Sequence, residues 1–198
     1  MHDLAYLNPP AKLPAILDRS AKLAFPMPSE PKTGAMLRVL AATKPGGQLL
    51  ELGTGTGLST AWLLDGMDGD ARLTSVDIDP ASQAVAREIL GDDPRLRIVT
   101  TDATVFLRQQ VQASLDLVFA DAMPGKYHLL DETLALLRRG GIYTIDDMLP
   151  QANWPEDHAP KVPRLIADLA RRPDLRIVTL DWSSGLILGV KNVLERNA

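Results

Sequence analysis

Glu51, Gly53, Gly55 and Gly57 alternate within Leu49-Leu-Glu-Leu-Gly-Thr-Gly-Thr-Gly-Leu-Ser-Thr60, an apolar run that ends in an acid and opens into three glycines. Glycines at a strand end let the backbone turn sharply and approach a ligand while a helix starts behind it. This is the chemistry of a nucleotide-type loop. The spacing is E-x-G-x-G-x-G, whereas a dinucleotide fingerprint is G-x-G-x-x-G with its pyrophosphate on the helix N-terminus. A carboxylate at Glu51 repels a pyrophosphate and attracts a ligand carrying a sulfonium and an ammonium group, which argues against an NAD-dependent dehydrogenase. Taken alone, the segment also fits a glycine-rich strand-to-helix turn that holds no ligand.

Further carboxylates recur where strands should end. Glu51, Asp77, Asp102, Asp121 and Asp146 each fall at or just after the tip of an expected strand. Open parallel sheets bind ligands beyond the carboxyl ends of their strands, near the point where strand order reverses, so five such acids point to a site. Asp77 stands 20 residues after Gly57, the offset at which an acid accepts hydrogen bonds from ribose hydroxyls. Asp79-Pro80 reads as a helix N-cap followed by proline in the first helical position. Asp102 either lies near an adenine amino group or caps the next helix.

The elements that must position these residues alternate along the chain. Helices are expected over 11–25 and 31–43. There follow strand 48–52, helix 57–65, strand 72–77, helix 80–90, strand 96–100, helix 103–112, strand 115–120, helix 125–138 and strand 141–146. The strands are rich in Val, Ile and Leu with little alternation, as in parallel sheets covered on both faces. After the loop Leu149 to Pro160 come a helix near 162–172 and strands 174–181 and 185–191, joined through Trp182-Ser183-Ser184-Gly185. That connection reads as a hairpin. The expected fold is α/β: a doubly wound, seven-stranded, mostly parallel sheet with one antiparallel edge strand.

The 198 residues make one domain with room for a sizeable core, divided into a helical cap over 1–43 and a core over 44–191. There is no cysteine, so disulfides and thiolate metal sites are excluded. With a net charge of −4 and only the pairs Arg138-Arg139 and Arg171-Arg172 as dense basic spots, nucleic acid is a poor partner and a small molecule a better one. Residues 1–10 show no basic stretch followed by an apolar core, and no run of 18 apolar residues occurs. Neither a membrane span nor a leader is expected, and the expected compartment is the cytoplasm.

With these residues in place, the chain resembles class I S-adenosylmethionine-dependent methyltransferases, and among them the small O-methyltransferases of the catechol and caffeoyl-CoA type. Glu51 to Gly57 with Leu58-Ser59 matches their first motif and Ser75 to Pro80 the second. Asp116-Leu-Val-Phe-Ala-Asp-Ala122 matches the fourth strand, and Leu137 to Leu149 the fifth. Met27 to Gly34 with Leu37 resembles the substrate-side lead-in, and Ser184 to Leu188 the final hairpin, so the likeness spans roughly 25–191. It implies a Rossmann-like fold and S-adenosylmethionine as cofactor, held by Glu51, Gly53, Gly55, Gly57, Ser59, Asp77 and Asp102. It also implies a small hydroxylated acceptor of catechol type, and makes a homodimer plausible.

The resemblance further implies a divalent cation, usually magnesium, on Asp121, Asp146 and Asp147. Such an ion helps because a phenol with a pKa near 10 is ionised about once in a thousand molecules at neutral pH, a deficit of roughly 4 kcal/mol. The chain departs from the family twice. Asp147 stands where the family has Asn, so either three carboxylates bind the metal or Asp147 points away. Met123 and Pro124 replace an Asp and the general-base Lys. Lys126 lies two residues further on, rotated by about 200° if this stretch is helical, so it requires a loop rearrangement to serve. With Asp121 it is nonetheless the catalytic candidate, His128 being the other possible base. The pocket is expected from residues 1–35 and 148–160, with Trp154, Met148 and Trp182 as an aromatic wall or as core. Two other functions stay open: metal-independent methyl transfer to another small molecule or a modified nucleoside, and a cofactor-binding sensor or partner protein without turnover.

Overall fold

The structure, a computed structural model, describes residues 7–151 and 154–192. Those parts of the expected cap, pocket segments and core that fall on 1–6, 152–153 and 193–198 lie outside the described residues.

Seven strands form one sheet: β1 (Gln48–Leu52), β2 (Arg72–Asp77), β3 (Leu96–Thr100), β4 (Leu115–Ala120), β5 (Leu137–Ile145), β6 (Leu175–Leu180) and β7 (Leu186–Lys191). Their order is β3-β2-β1-β4-β5-β7-β6. The first five are parallel, and β7 runs against both β5 and β6, which together make the antiparallel edge region. Seven helices accompany them among the described residues: α1 (Leu13–Lys22), α2 (Pro31–Ala42), α3 (Leu58–Gly66), α4 (Pro80–Leu90), α5 (Ala103–Leu107), α6 (Leu130–Leu136) and α7 (Lys161–Ala170). No helix of the described residues is long and apolar enough to cross a membrane.

Both faces of the sheet are covered, which is why the central strands read as unbroken apolar runs. Leu49, Leu117 and Phe119 pack on one side with Leu13, Ile16, Leu37 and Trp62. Leu50, Leu52, Val118, Ala120 and Tyr143 pack on the other with Phe106, Leu165 and Leu169. On the first side α2 crosses α3 closely: a Cβ at Gly34 would lie 2.2 Å from Cδ1 of the buried Trp62. Helices ahead of β1 thus share a core with the sheet.

The register brings the site together. Leu52 is level with Val76 and with Ala120, and Ala120 with Ile145. The next residues, Gly53, Asp77, Asp121 and Asp146, therefore leave their strands in one row. The ladder continues past the tips, with Gly53 N donating to Val76 O and Asp121 N to Leu52 O, both at 2.8 Å.

Two expected helices are shorter. α5 stops at Leu107, where the amides of Gln109 and Gln110 bond three residues back. The expected helix over 125–138 is instead a turn followed by α6 and the start of β5. Proline at 124 has no amide to donate, Gly125 has φ +86°, and Leu129 has φ +55°. The turn closes on itself through Tyr127 N to Met123 O at 2.9 Å and Gly125 N to His128 O at 2.7 Å.

Candidate functional site

A cavity of about 450 Å³ lies along the row of strand tips. One end is formed by Gly53, Thr54, Gly55 and Thr56 after β1, Asp77 after β2, and Asp79 and Ser82 at the start of α4. The other end is formed by Asp121, Asp146, Asp147, Gln151 and Ser184, and residues 25–30, in the segment that connects α1 to α2, also line it.

Each glycine of the loop answers a different constraint. Gly53 (φ +104°) passes so near β4 that a Cβ would lie 2.4 Å from the main-chain oxygen of Asp121. At Gly55 (φ +48°) a Cβ would meet Phe25 Cζ at 2.8 Å. Gly57 (φ +94°) does not line the cavity; it caps α3 and lets it pack on α4, where a Cβ would meet that of Ala86 at 2.9 Å. Buried hydroxyls brace the loop. Ser20 Oγ donates to Thr56 Oγ1 at 2.7 Å, and Gln83 Nε2 donates to Thr54 Oγ1 at 2.9 Å.

Glu51 sits beneath this loop, fully buried, and is not among the residues lining the cavity. Its Oε2 accepts from Thr60 and Ser75 hydroxyls, each at 2.5 Å, while Oε1 has no partner. Ser59 likewise acts on Glu51 and not on the cavity surface. Burial pushes the Glu51 carboxyl from its ordinary 4.5 up to about 7, against the hydrogen bonds from Ser59, Ser75 and Thr60. Because the folded pKa lies above the unfolded one, the group favours folding below pH 4.5, and that contribution is lost as pH rises to 7. Above pH 7 the buried carboxylate costs roughly 3 kcal/mol. Glu51→Gln has no such dependence, so its stability relative to the parent protein should rise by roughly 3 kcal/mol between pH 4.5 and pH 8. Urea denaturation of both proteins at the two pH values measures this, and a pH-independent difference would contradict it.

Asp77 faces the cavity and shapes the loop at the same time. Its Oδ2 accepts from Gly55 N at 2.8 Å and its Oδ1 from Asp79 N at 2.9 Å. Asp79 caps α4 as its sequence suggests, accepting from Ala81 N and Ser82 N, and the Ser82 hydroxyl holds its carboxyl below the usual range. Asp102 is exposed, caps α5 through Thr104 N at 2.6 Å, and does not line the cavity. Of its two expected roles, the structure supplies the cap.

At the other end the carboxylates crowd. Burial raises Asp121 and Asp146 above the ordinary range, and Asp146 raises Asp121 further. Asp146 Oδ1 accepts from the Ser184 hydroxyl and from Asp147 N at 2.8 Å. Asp147 takes φ +60°, unusual for a residue with a side chain. Lys126 is only 3% exposed, and its Nζ donates to Asp146 O at 2.7 Å. The turn at 123–128 is not helical, so the 200° rotation that set Lys126 aside does not apply. His128, the other candidate base, is exposed.

A different histidine lies close by. Tyr127 Oη and His158 Nε2 are 3.1 Å apart, and the His158 ring stacks on Trp154 at 4.3 Å between centroids. Burial pushes the Tyr127 hydroxyl up to about 12, with the Asp147 charge adding to it, while burial and then the Lys126 charge pull His158 down. Trp154 and Met148 pack in the core beside this group, and Trp182 lies under Lys32 Nζ at 4.9 Å. The expected aromatic wall is absent among the described residues; the one aromatic ring lining the cavity is Phe25.

The cofactor end suits an S-adenosyl ligand: a glycine cradle and a carboxylate for ribose hydroxyls. The metal set fits less well. No three Asp, Glu or His side chains among the described residues are grouped to hold a metal ion. One oxygen of Asp146 is committed to Ser184 and Asp147, and an ammonium stands against its main chain.

The family model for O-methyltransferases matches residues 15–192. A probable O-methyltransferase of Mycobacterium tuberculosis is 38% identical over 120 residues, 58% of this chain and 54% of that protein. The chain thus spans about half the length of the curated relatives it matches. Among solved structures, an O-methyltransferase from Bacillus cereus in complex with SAH superposes with a TM-score of 0.82 at 21% identity, covering 95% of this chain and 94% of that one. The O-methyltransferase TomG from Streptomyces achromogenes, in complex with SAM, gives 0.80 at 22% identity, covering 96% and 93%.

Proposed function

The chain belongs to the O-methyltransferase family, and from that premise we propose that it moves the methyl group of S-adenosylmethionine to an oxygen of a small, hydroxylated, aromatic acceptor. The observation that carries this reading is the single cavity in which the glycine loop and Asp77 share one space with Asp121, Asp146 and Asp147. Donor and acceptor must meet there with the attacking oxygen in line with the breaking C–S bond. The C–O bond forms as the electron pair of the C–S bond passes to sulfur, leaving S-adenosylhomocysteine, and the acceptor oxygen gives up its proton to Asp121, which follows the tip of β4 between Gly53 and Asp146 in the row and lines the cavity. Phe25, Met27 and the two prolines beside it supply apolar surface for a ring.

The divalent cation that the sequence resemblance implies is not carried into this reading, because no three Asp, Glu or His side chains among the described residues are grouped to hold one and one Asp146 oxygen already accepts from Ser184 and Asp147. The test is methyl transfer from labelled S-adenosylmethionine to a panel of catechols and hydroxycinnamates, with product identified as the O-methyl ether. Labelled ether is the expected result. A folded protein that binds S-adenosylhomocysteine yet labels no member of the panel would remove the aromatic acceptor from the proposal.

A further inference from the structure

We propose that Gln83 is a positioning residue for the S-adenosyl ligand: from α4 it starts a one-way run of buried hydrogen bonds, through Thr54 and Ser75 to Glu51, that holds the glycine loop in its ligand-binding shape. A glutamine at a fully buried helix position is costly unless its whole amide is matched, and here it is. Gln83 is 0% exposed. Its Nε2 donates to Val99 O at 3.1 Å and to Thr54 Oγ1 at 2.9 Å, while its Oε1 accepts from Thr100 Oγ1 at 2.6 Å. A carbonyl oxygen only accepts, so Val99 fixes which side of the amide is the NH₂ group.

The direction of the run follows from the single proton that each hydroxyl can give. Thr54 takes a proton from Gln83, and its own hydroxyl lies 2.6 Å from Ser75 Oγ. Ser75 gives its proton to Glu51 Oε2 at 2.5 Å, so Thr54 is the donor to Ser75. On the far side of Gln83, Thr100 accepts from Arg87 Nη2 at 2.8 Å. The links therefore run one way, from the exposed Arg87 cation to the buried Glu51 acid, and bonds aligned like this strengthen one another. Of these residues only Thr54 lines the cavity. Its neighbours Gly53 and Gly55 both take positive φ, so the chain on either side turns freely. The inward Thr54 side chain, 2% exposed, anchors the main chain between them, beside the bond from Gly55 N to Asp77. Gln83 acts on the ligand through Thr54 and does not itself line the cavity.

The inference rests on the S-adenosyl reading of the cavity but on no acceptor. S-adenosylhomocysteine is the probe, titrated calorimetrically into the parent protein, Gln83→Glu and Gln83→Met at about pH 5.5 and about pH 8.5. Burial favours the protonated form of a glutamate at 83 at the lower pH. That form still has a proton for Thr54, whereas the ionised form only accepts, so Thr54 must turn its own proton away from Ser75. The parent at the same pH is the reference, because it carries the same Arg87, Glu51, Asp77 and Asp79 charges around α4. Against it, Gln83→Glu should bind within about threefold at the lower pH and at least about tenfold more weakly at the higher, and Gln83→Met about tenfold more weakly at both. A side chain that only packs α4 against β3 would lower folding stability without giving affinity this pH profile. A folded Gln83→Glu with the same relative affinity at both pH values would overturn the proposal, as would a folded Gln83→Met within about threefold of the parent. Should Gln83→Glu be unfolded at the higher pH by circular dichroism, Gln83→Met decides. A parent protein that binds no S-adenosylhomocysteine would overturn the S-adenosyl reading itself, and this inference with it.

Discussion

Asp77→Asn is expected to weaken the binding of S-adenosylhomocysteine by about 100-fold while lowering folding stability by only about 1 kcal/mol. The carboxylate accepts from Gly55 N and Asp79 N and presents its remaining lone pairs to the cavity. Both neighbours are donors, so an asparagine amide must set its NH₂ group against an N–H whichever way it is flipped. The loop then loses one of its two anchors, and a ligand hydroxyl loses a charged acceptor. Each charge-assisted hydrogen bond contributes about 1.5–3 kcal/mol, so one to two of them account for the predicted loss. Isothermal titration with S-adenosylhomocysteine measures it, and urea denaturation separates it from unfolding. An affinity within about threefold of the parent's would reduce Asp77 to a loop acid.

That Asp77 could be picked out beforehand, and Lys126 could not be placed, reflects two kinds of signal. Strands β1 to β4 match their expected ranges because a parallel strand covered on both faces must be a short apolar run, which is visible locally. The acids follow directly from those strand ends. Register then aligns Gly53, Asp77, Asp121 and Asp146 without further information. The stretch after β4 has no such constraint. Its apolar residues at 129, 130, 134 and 136 resemble a helix face, and the reading extended that helix back to 125. What stops it is the positive φ of Gly125 and of Leu129, with the Gly125 carbonyl held by the Tyr143 hydroxyl. That last contact reaches across the fold. His158 was missed for the same reason, since only tertiary packing brings it to Tyr127. The hydroxyl of Ser184, read as a turn residue, is set on Asp146 by the pairing of β5 with β7.

Gly53→Ala should have the larger effect of the two, because its obstacle is main chain. The new Cβ would lie 2.4 Å from the carbonyl oxygen and 3.0 Å from the carbonyl carbon of Asp121, at a φ of +104° that no L side chain adopts comfortably. No rotamer change relieves such a contact, so β1 and β4 must separate at their tips. That movement breaks the row in which the cofactor end and the acceptor end face each other, and it strains the bonds from Gly53 N to Val76 O and Asp121 N to Leu52 O. Stability should fall by about 3 kcal/mol or more, and affinity for S-adenosylhomocysteine by at least about 100-fold. Gly55→Ala supplies the contrast. Its φ of +48° is within reach of an alanine, and its obstacle is the far edge of the Phe25 ring at 2.8 Å, which can swing aside. It should cost about 1–2 kcal/mol and leave the strand tips where they are. If Gly53→Ala proved as mild as Gly55→Ala in thermal denaturation and ligand titration, close approach of β1 to β4 could not be what holds the two halves of the site in register.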